Sequence, residues 1–186
     1  MPVLSPASDL RKSTDSRLPS RRVLIGDMQK PSAAEDPERG RGKAEKKQPR
    51  LRLVLADDHD LVREETRQFL EPEFEVLRAV SDGAALVEAT VELKPDAVVS
   101  DIKMPRLGGI EAGVQILNRG LCEAVVLLSM YPDAHLVKAA LDAGIRAYVL
   151  KVDASEELMP AIYAAVRGKR YLSRGVRSVL PIDRLT

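Results

Sequence analysis

The sequence contains no tryptophan, one cysteine and two phenylalanines, and aromatic residues make up 3% of it. A core built from such a chain must rely on Val, Leu, Ile and Ala. The lone Cys122 excludes an internal disulfide and a cysteine-based zinc centre. No apolar run reaches the roughly 18 residues that would suggest a membrane span. The opening stretch MPVLSPASDLRKS carries no signal-peptide core, so a cytoplasmic protein without membrane attachment is expected. An excess of one charge is also lacking: 29 Lys and Arg face 28 Asp and Glu. The 186 residues allow one domain with a tail, or two small ones.

The near-neutral total conceals two unlike parts. Residues 1–50 hold six of the 12 prolines and 12 basic against 7 acidic residues, whereas the remainder carries 17 against 21. The stretch KPSAAEDPERGRGKAEKKQPR has no apolar periodicity. Such a segment cannot bury enough surface to offset its ordering entropy. We therefore expect residues 1–50 to be a disordered, basic, proline-rich tail. Within it RRVLIGDM (21–28) could form a short strand or a docking peptide, and Met28 offers a second start. With no aromatic residue in the tail, a solvated segment is favoured over a nucleic-acid-binding one.

From residue 51 onward, apolar runs of strand length alternate with helical patterns. Strands are expected at 51–56, 74–80, 96–100, 124–129 and 146–150. Helices are expected near 60–70, 83–93, 109–119, 133–143 and 155–168. Gly120, Gly144 and Gly168 stand where helices should stop. The third and fourth strands, DAVVS and AVVLLS, are almost wholly apolar, as strands covered on both faces are. Five βα units predict a doubly wound, five-stranded parallel sheet of flavodoxin-like type. In such sheets ligands bind beyond the carboxyl ends of the strands.

Those ends share one chemistry. The first strand runs into LADDHD, giving Asp57 and Asp58 with His59 and Asp60 beside them; the third ends at Asp101, the fourth at Ser129 and the fifth at Lys151. A helix cap would account for one of the leading aspartates. Three converging carboxylates repel unless a cation offsets them. Oxygen ligands without thiolates suit Mg²⁺. Lys151 and Ser129 add a charge and a donor for a phosphoryl group. His59 reads as a loop or capping residue, and Cys122 as an inert thiol.

The motifs LADDHDLVRE, DIKMPRLGG, LLSMYP, AYVLKVDASEEL and RGKRYLS, spread over residues 51–172, resemble the response-regulator receiver domain of two-component systems, in its NarL/FixJ-type branch. Separations of 43 residues from Asp58 to Asp101, 28 from Asp101 to Ser129 and 50 from Asp101 to Lys151 fit that family. The resemblance implies that Asp101 is phosphorylated by a partner histidine kinase or phosphotransfer protein. It implies Mg²⁺ held by Asp58, Asp101 and the backbone carbonyl of Lys103, with Asp57 in the outer shell or binding directly. Ser129 would be the switch hydroxyl, Tyr148 the switch aromatic and Lys151 the ammonium that meets the phosphoryl oxygens. No enzymatic activity is expected beyond self-phosphorylation from a phosphodonor and slow autodephosphorylation.

There are departures from the pattern. Met130 follows Ser129 where many receivers outside this branch have a smaller residue, Val152 stands where many place Pro, and Pro160 falls early in the last helix. Regulators of this branch usually carry a helix-turn-helix output domain. Residues 173–186 are too few for one and read as an extension or linker remnant, so no direct DNA binding is expected from this chain. Output would then pass through protein contact at the face of the fourth helix, fifth strand and fifth helix, with a second copy or a separate output protein. The alternatives are a truncated DNA-binding regulator and a haloacid-dehalogenase-type phosphatase. The latter needs Gly-Thr after Asp58-x-Asp60, where Leu61 and Val62 stand, and leaves Asp101 without a role.

Overall fold

In a computed structural model of the chain, residues 49–180 are described. Most of the proposed tail, residues 1–48, and the final residues 181–186 lie outside them.

The elements run β1 (Arg52–Ala56), α1 (Asp60–Leu70), β2 (Glu75–Val80), α2 (Gly83–Leu93), β3 (Ala97–Asp101), α3 (Gly109–Asn118), β4 (Val125–Ser129), α4 (Ala134–Asp142) and β5 (Ala147–Leu150). One 3₁₀ turn (Lys151–Asp153) leads into α5 (Ala154–Val166), β6 (Tyr171–Leu172) and α6 (Arg174–Arg177). All strand pairs are parallel, in the order β2-β1-β3-β4-β5-β6. This is a doubly wound flavodoxin-like sheet with one strand more than the five expected. The chain moves one way from β1 to β2 and the other way from β3 onward. Right-handed crossovers then place α1 on the face opposite α2 and α3, which pack side by side.

Every residue of β3 and β4 is buried, as their apolar runs require. The interior is aliphatic, and its largest fully buried side chains include Tyr148, Phe74, Leu53, Leu127 and Ile162. Each such aliphatic side chain contributes about 1.5–3 kcal/mol on burial. Gly120, Gly144 and Gly168 have φ of +61°, +90° and +70°. Each closes a helix by the same pair of reverse hydrogen bonds, as in Gly120 N–H to Leu117 O and Leu121 N–H to Ile116 O. These abrupt stops keep the loops short, and so deliver each following strand to the sheet in register. Pro160 lies inside α5, well past its first turn, where it leaves the Glu156 carbonyl without its helical donor.

The sixth strand and α6 are held by polar side chains. Ser173 Oγ accepts from Leu150 N–H at 3.1 Å and donates to Asp153 Oδ2 at 2.7 Å. Asp153 Oδ2 also accepts from Gly175 N–H, and the buried Glu157 accepts from Arg174 N–H and the Tyr171 hydroxyl. Val176 is fully buried. Residues past 172 thus share hydrogen bonds and apolar contacts with β5 and α5.

Candidate phosphoacceptor site

The carboxyl ends of β1, β3, β4 and β5 open on a cleft of about 370 Å³, lined among others by His59, Asp101, Lys103, Ser129, Met130 and Lys151. Strand order reverses between β2 and β3, on either side of β1, so β1 and β3 splay their carboxyl-end loops apart here.

Lys151 Nζ stands at the centre, 2.6 Å from Asp57 Oδ2 and 2.7 Å from Asp101 Oδ1. Asp57 is almost wholly buried, and its other oxygen accepts from His59 N–H at 2.9 Å. Asp101 is 5% exposed, and its Oδ2 accepts from Lys103 N–H at 3.0 Å. Burial pushes the Asp101 carboxyl above its ordinary range, against the opposing pull of Lys151. Burial alone would lower Lys151, but Asp101 and Asp57 together outweigh it and hold the ammonium charged.

Asp58 points elsewhere. Its Oδ1 lies 2.9 Å from His59 Nδ1 but forms no well-aligned hydrogen bond. The oxygens of Asp57 and Asp58 and a ring nitrogen of His59 lie within 4.8 Å of one another. Two carboxylates, Asp57 and Asp101, therefore share one lysine ammonium, with Asp58 adjoining Asp57 in sequence, and the site has surplus negative charge. With oxygen donors, no thiolate and one carboxylate oxygen without a donor, these residues fit a hard divalent cation. Cys122 is remote from the cleft: its thiol lies 3.6 Å from the carbonyl of Asp96, at the start of β3.

Ser129 ends β4 with its hydroxyl donating to Tyr131 O at 2.9 Å. Met130 and Tyr131 are exposed, so Met130 borders the cleft mouth without filling it. Tyr148, one strand over, is 1% exposed and packs inward. Its hydroxyl makes no well-formed hydrogen bond among the described residues. Burial pushes its phenol above the usual value, tempered by the nearby Ser129 hydroxyl.

The structure thus gathers Asp57, Asp58, Asp101, Lys103, Ser129 and Lys151 at one end of the sheet, with Tyr148 beneath. Sequence reasoning missed that His59 turns toward Asp58. It also missed Asp82 and Arg106, which pair across the rim. The triplet Ser81-Asp82-Gly83 before an apolar stretch is a helix-start signal that could have drawn attention to Asp82.

Comparison with known proteins agrees with this fold. Residues 53–163 match the family model for the response regulator receiver domain. The chain is 36% identical over 128 residues to the transcriptional regulatory protein LiaR of Bacillus subtilis, covering 68% of this chain and 61% of LiaR. It is 30% identical over 132 residues to the nitrate/nitrite response regulator protein NarP of Escherichia coli, covering 70% of this chain and 61% of NarP. The chain thus spans about three fifths of the length of these curated relatives. Among solved structures, a LuxR-family two-component response regulator from Aurantimonas superposes with a TM-score of 0.67 at 31% identity, over 74% of this chain and 99% of that one. The isolated receiver domain of Salmonella RcsB, with the phosphomimetic BeF₃⁻, gives 0.64 at 26% identity, over 71% of this chain and 99% of that one.

Proposed function

Because the chain belongs to the response-regulator receiver family, we propose that it is a phosphoacceptor switch in two-component signalling, with Asp101 as the residue that takes the phosphoryl group. The observation that carries this reading is the state of the Asp101 carboxylate. It is nearly buried, one oxygen rests on Lys151, the other is held by Lys103 N–H, and surplus acid charge adjoins it.

The donor is a phosphohistidine on a sensor histidine kinase or a phosphotransfer protein. An Asp101 oxygen bonds to phosphorus as the N–P bond breaks, and the released imidazole nitrogen takes up a proton. Lys151 already contacts the acceptor carboxylate and meets the incoming phosphoryl oxygens without a long rearrangement. Asp58, Asp101 and the Lys103 carbonyl would hold Mg²⁺, which when bound supplies positive charge against the phosphoryl oxygens. Asp57, with both oxygens occupied by Lys151 and His59 N–H, suits an outer-shell place better than a direct one. Ser129 would trade its bond to the Tyr131 carbonyl for one to the phosphoryl group, and Tyr148 would follow into the space vacated.

Output would pass through protein contact, either with a second copy across α4, β5 and α5 or with a separate effector. A second reading, as the receiver part of a DNA-binding regulator, is favoured by the relatives named as transcriptional regulatory proteins, of which this chain spans only part. Sequencing the gene past the codon for Thr186 separates the two: an open frame with a helix-turn-helix pattern supports the second reading, and a stop codon supports the first.

The test of the main reading is intact-mass measurement after incubation with acetyl phosphate, with and without Mg²⁺. Wild type should gain one phosphoryl group only with Mg²⁺, and Asp101→Asn should gain none. Equal labelling of both would overturn the assignment.

A further inference from the structure

We propose that Asp82 and Arg106 form a latch that positions the loop 102–108, so that Mg²⁺ affinity depends on two residues that touch neither the metal nor the phosphoryl group. The inference rests on the reading of the site given above.

Asp82 caps α2: its Oδ1 accepts from Ala84 N–H at 2.9 Å and Ala85 N–H at 3.0 Å. Capping needs only that oxygen. The other pairs with the guanidinium of Arg106, 24 residues later in the chain. Asp82 is 1% exposed, so this second oxygen has been removed from water to meet one partner on the loop that follows the phosphoacceptor. The next residue reinforces the contact. Gly83 N–H donates to Leu107 O at 3.1 Å, and a Cβ at Gly83 would lie 2.4 Å from that same carbonyl oxygen. The N-terminus of α2 and the loop therefore approach to a distance that no other residue permits.

The loop's own path shows what the latch holds. Arg106 has φ +64°, a left-handed conformation that non-glycine residues avoid. This turn brings the chain back so that Gly109 N–H reaches Ile102 O at 2.9 Å. Gly109 then lies so close to the Asp101 carbonyl that a Cβ would stand 1.9 Å from it. Lys103 sits inside the resulting collar, its N–H fixed on Asp101 Oδ2 and its carbonyl the proposed metal ligand. The collar is closed by backbone bonds at one end and by Asp82, Gly83, Arg106 and Leu107 at the other. Arg106 accepts its unfavourable backbone angle while its side chain is engaged. Without that engagement the collar is free to widen, and metal binding must first order it again.

Arg106→Gly and Asp82→Asn test this. Glycine adopts the left-handed angle without strain, and Asn keeps the capping oxygen, so both variants should fold. Mg²⁺ titration followed on the Lys103 amide by NMR should show affinity weakened by about 3- to 10-fold in each. The double variant should be no weaker than the singles, and Arg106→Lys should recover part of the loss. Phosphorylation by acetyl phosphate should be slow at low Mg²⁺ and return to the wild-type rate at saturating Mg²⁺, which a general loss of stability would not produce. Wild-type affinity in both single variants would overturn the latch. A wild type that binds Mg²⁺ but takes no phosphate would overturn the phosphoacceptor reading, and the latch would still be judged on the affinities.

Discussion

Asp57 and Asp101, 44 residues apart in the sequence, share a single ammonium: Lys151 Nζ lies 2.6 Å from one and 2.7 Å from the other. Removing it leaves two buried carboxylates facing each other. Lys151→Ala should destabilise the fold by about 3 kcal/mol, the scale of breaking a buried ion pair on one side. Urea denaturation with and without Mg²⁺ measures this, and millimolar Mg²⁺ should restore part of the loss.

The Asp101 carboxyl is raised in the folded state by burial. The native state therefore holds that proton more tightly than the unfolded chain does. The resulting stability is fully present below the ordinary carboxylate range of about 4 and is lost as pH rises through the higher folded value. Asn mimics the protonated form at every pH. In the absence of metal, Asp101→Asn should match wild type at low pH and become the more stable protein as pH rises to neutrality. Denaturation curves over that interval check it; parallel curves would refute the buried-charge explanation.

The Tyr148 hydroxyl is buried without a well-formed hydrogen bond. An unsatisfied buried donor costs about 1–3 kcal/mol. Tyr148→Phe should therefore leave the unphosphorylated protein as stable or up to about 1 kcal/mol more stable. Thermal unfolding reads this directly, and a clear loss of stability would mean that the hydroxyl has a partner.

Burial pushes the Cys122 thiol up to about 11, and its side chain is nearly inaccessible. At pH 8 a thiol-specific reagent should label the native protein on the order of 100-fold more slowly than the urea-unfolded chain, because the thiolate is the reactive form. Comparable rates would show that the loop before β4 opens readily.

The core of this fold was legible because its signals are local and repeated. Strands read as 124–129 and 96–100 occur at Val125–Ser129 and Ala97–Asp101, since runs of Val and Leu have few other places to go. Helix ends at Gly120, Gly144 and Gly168 followed from the one residue suited to a left-handed stop. The convergence of acids, hydroxyl and ammonium was legible because parallel strands bring their carboxyl ends together by topology alone. β6 was missed because two residues, Tyr171 and Leu172, carry no periodicity. Their pairing depends on Ser173, Asp153 and Glu157, which look like ordinary surface residues in sequence. The Asp82–Arg106 pair was illegible for a similar reason: nothing at Arg106 announces a left-handed backbone in the absence of glycine.

The two margins of the sheet bear on how the protein behaves when crowded. A strand with a free, flat, apolar edge recruits strands from other molecules and seeds aggregation. On one margin β2 is half exposed along its length and carries Glu75 and Arg78, the latter tied to Glu92 at 2.7 Å. On the other, β6 covers β5 but offers only two residues of its own before Ser173 turns the chain into α6. Charged side chains along β2 and the brevity of β6 make each margin a poor template for an incoming strand. Association between copies at high concentration should therefore not proceed by open-ended sheet growth.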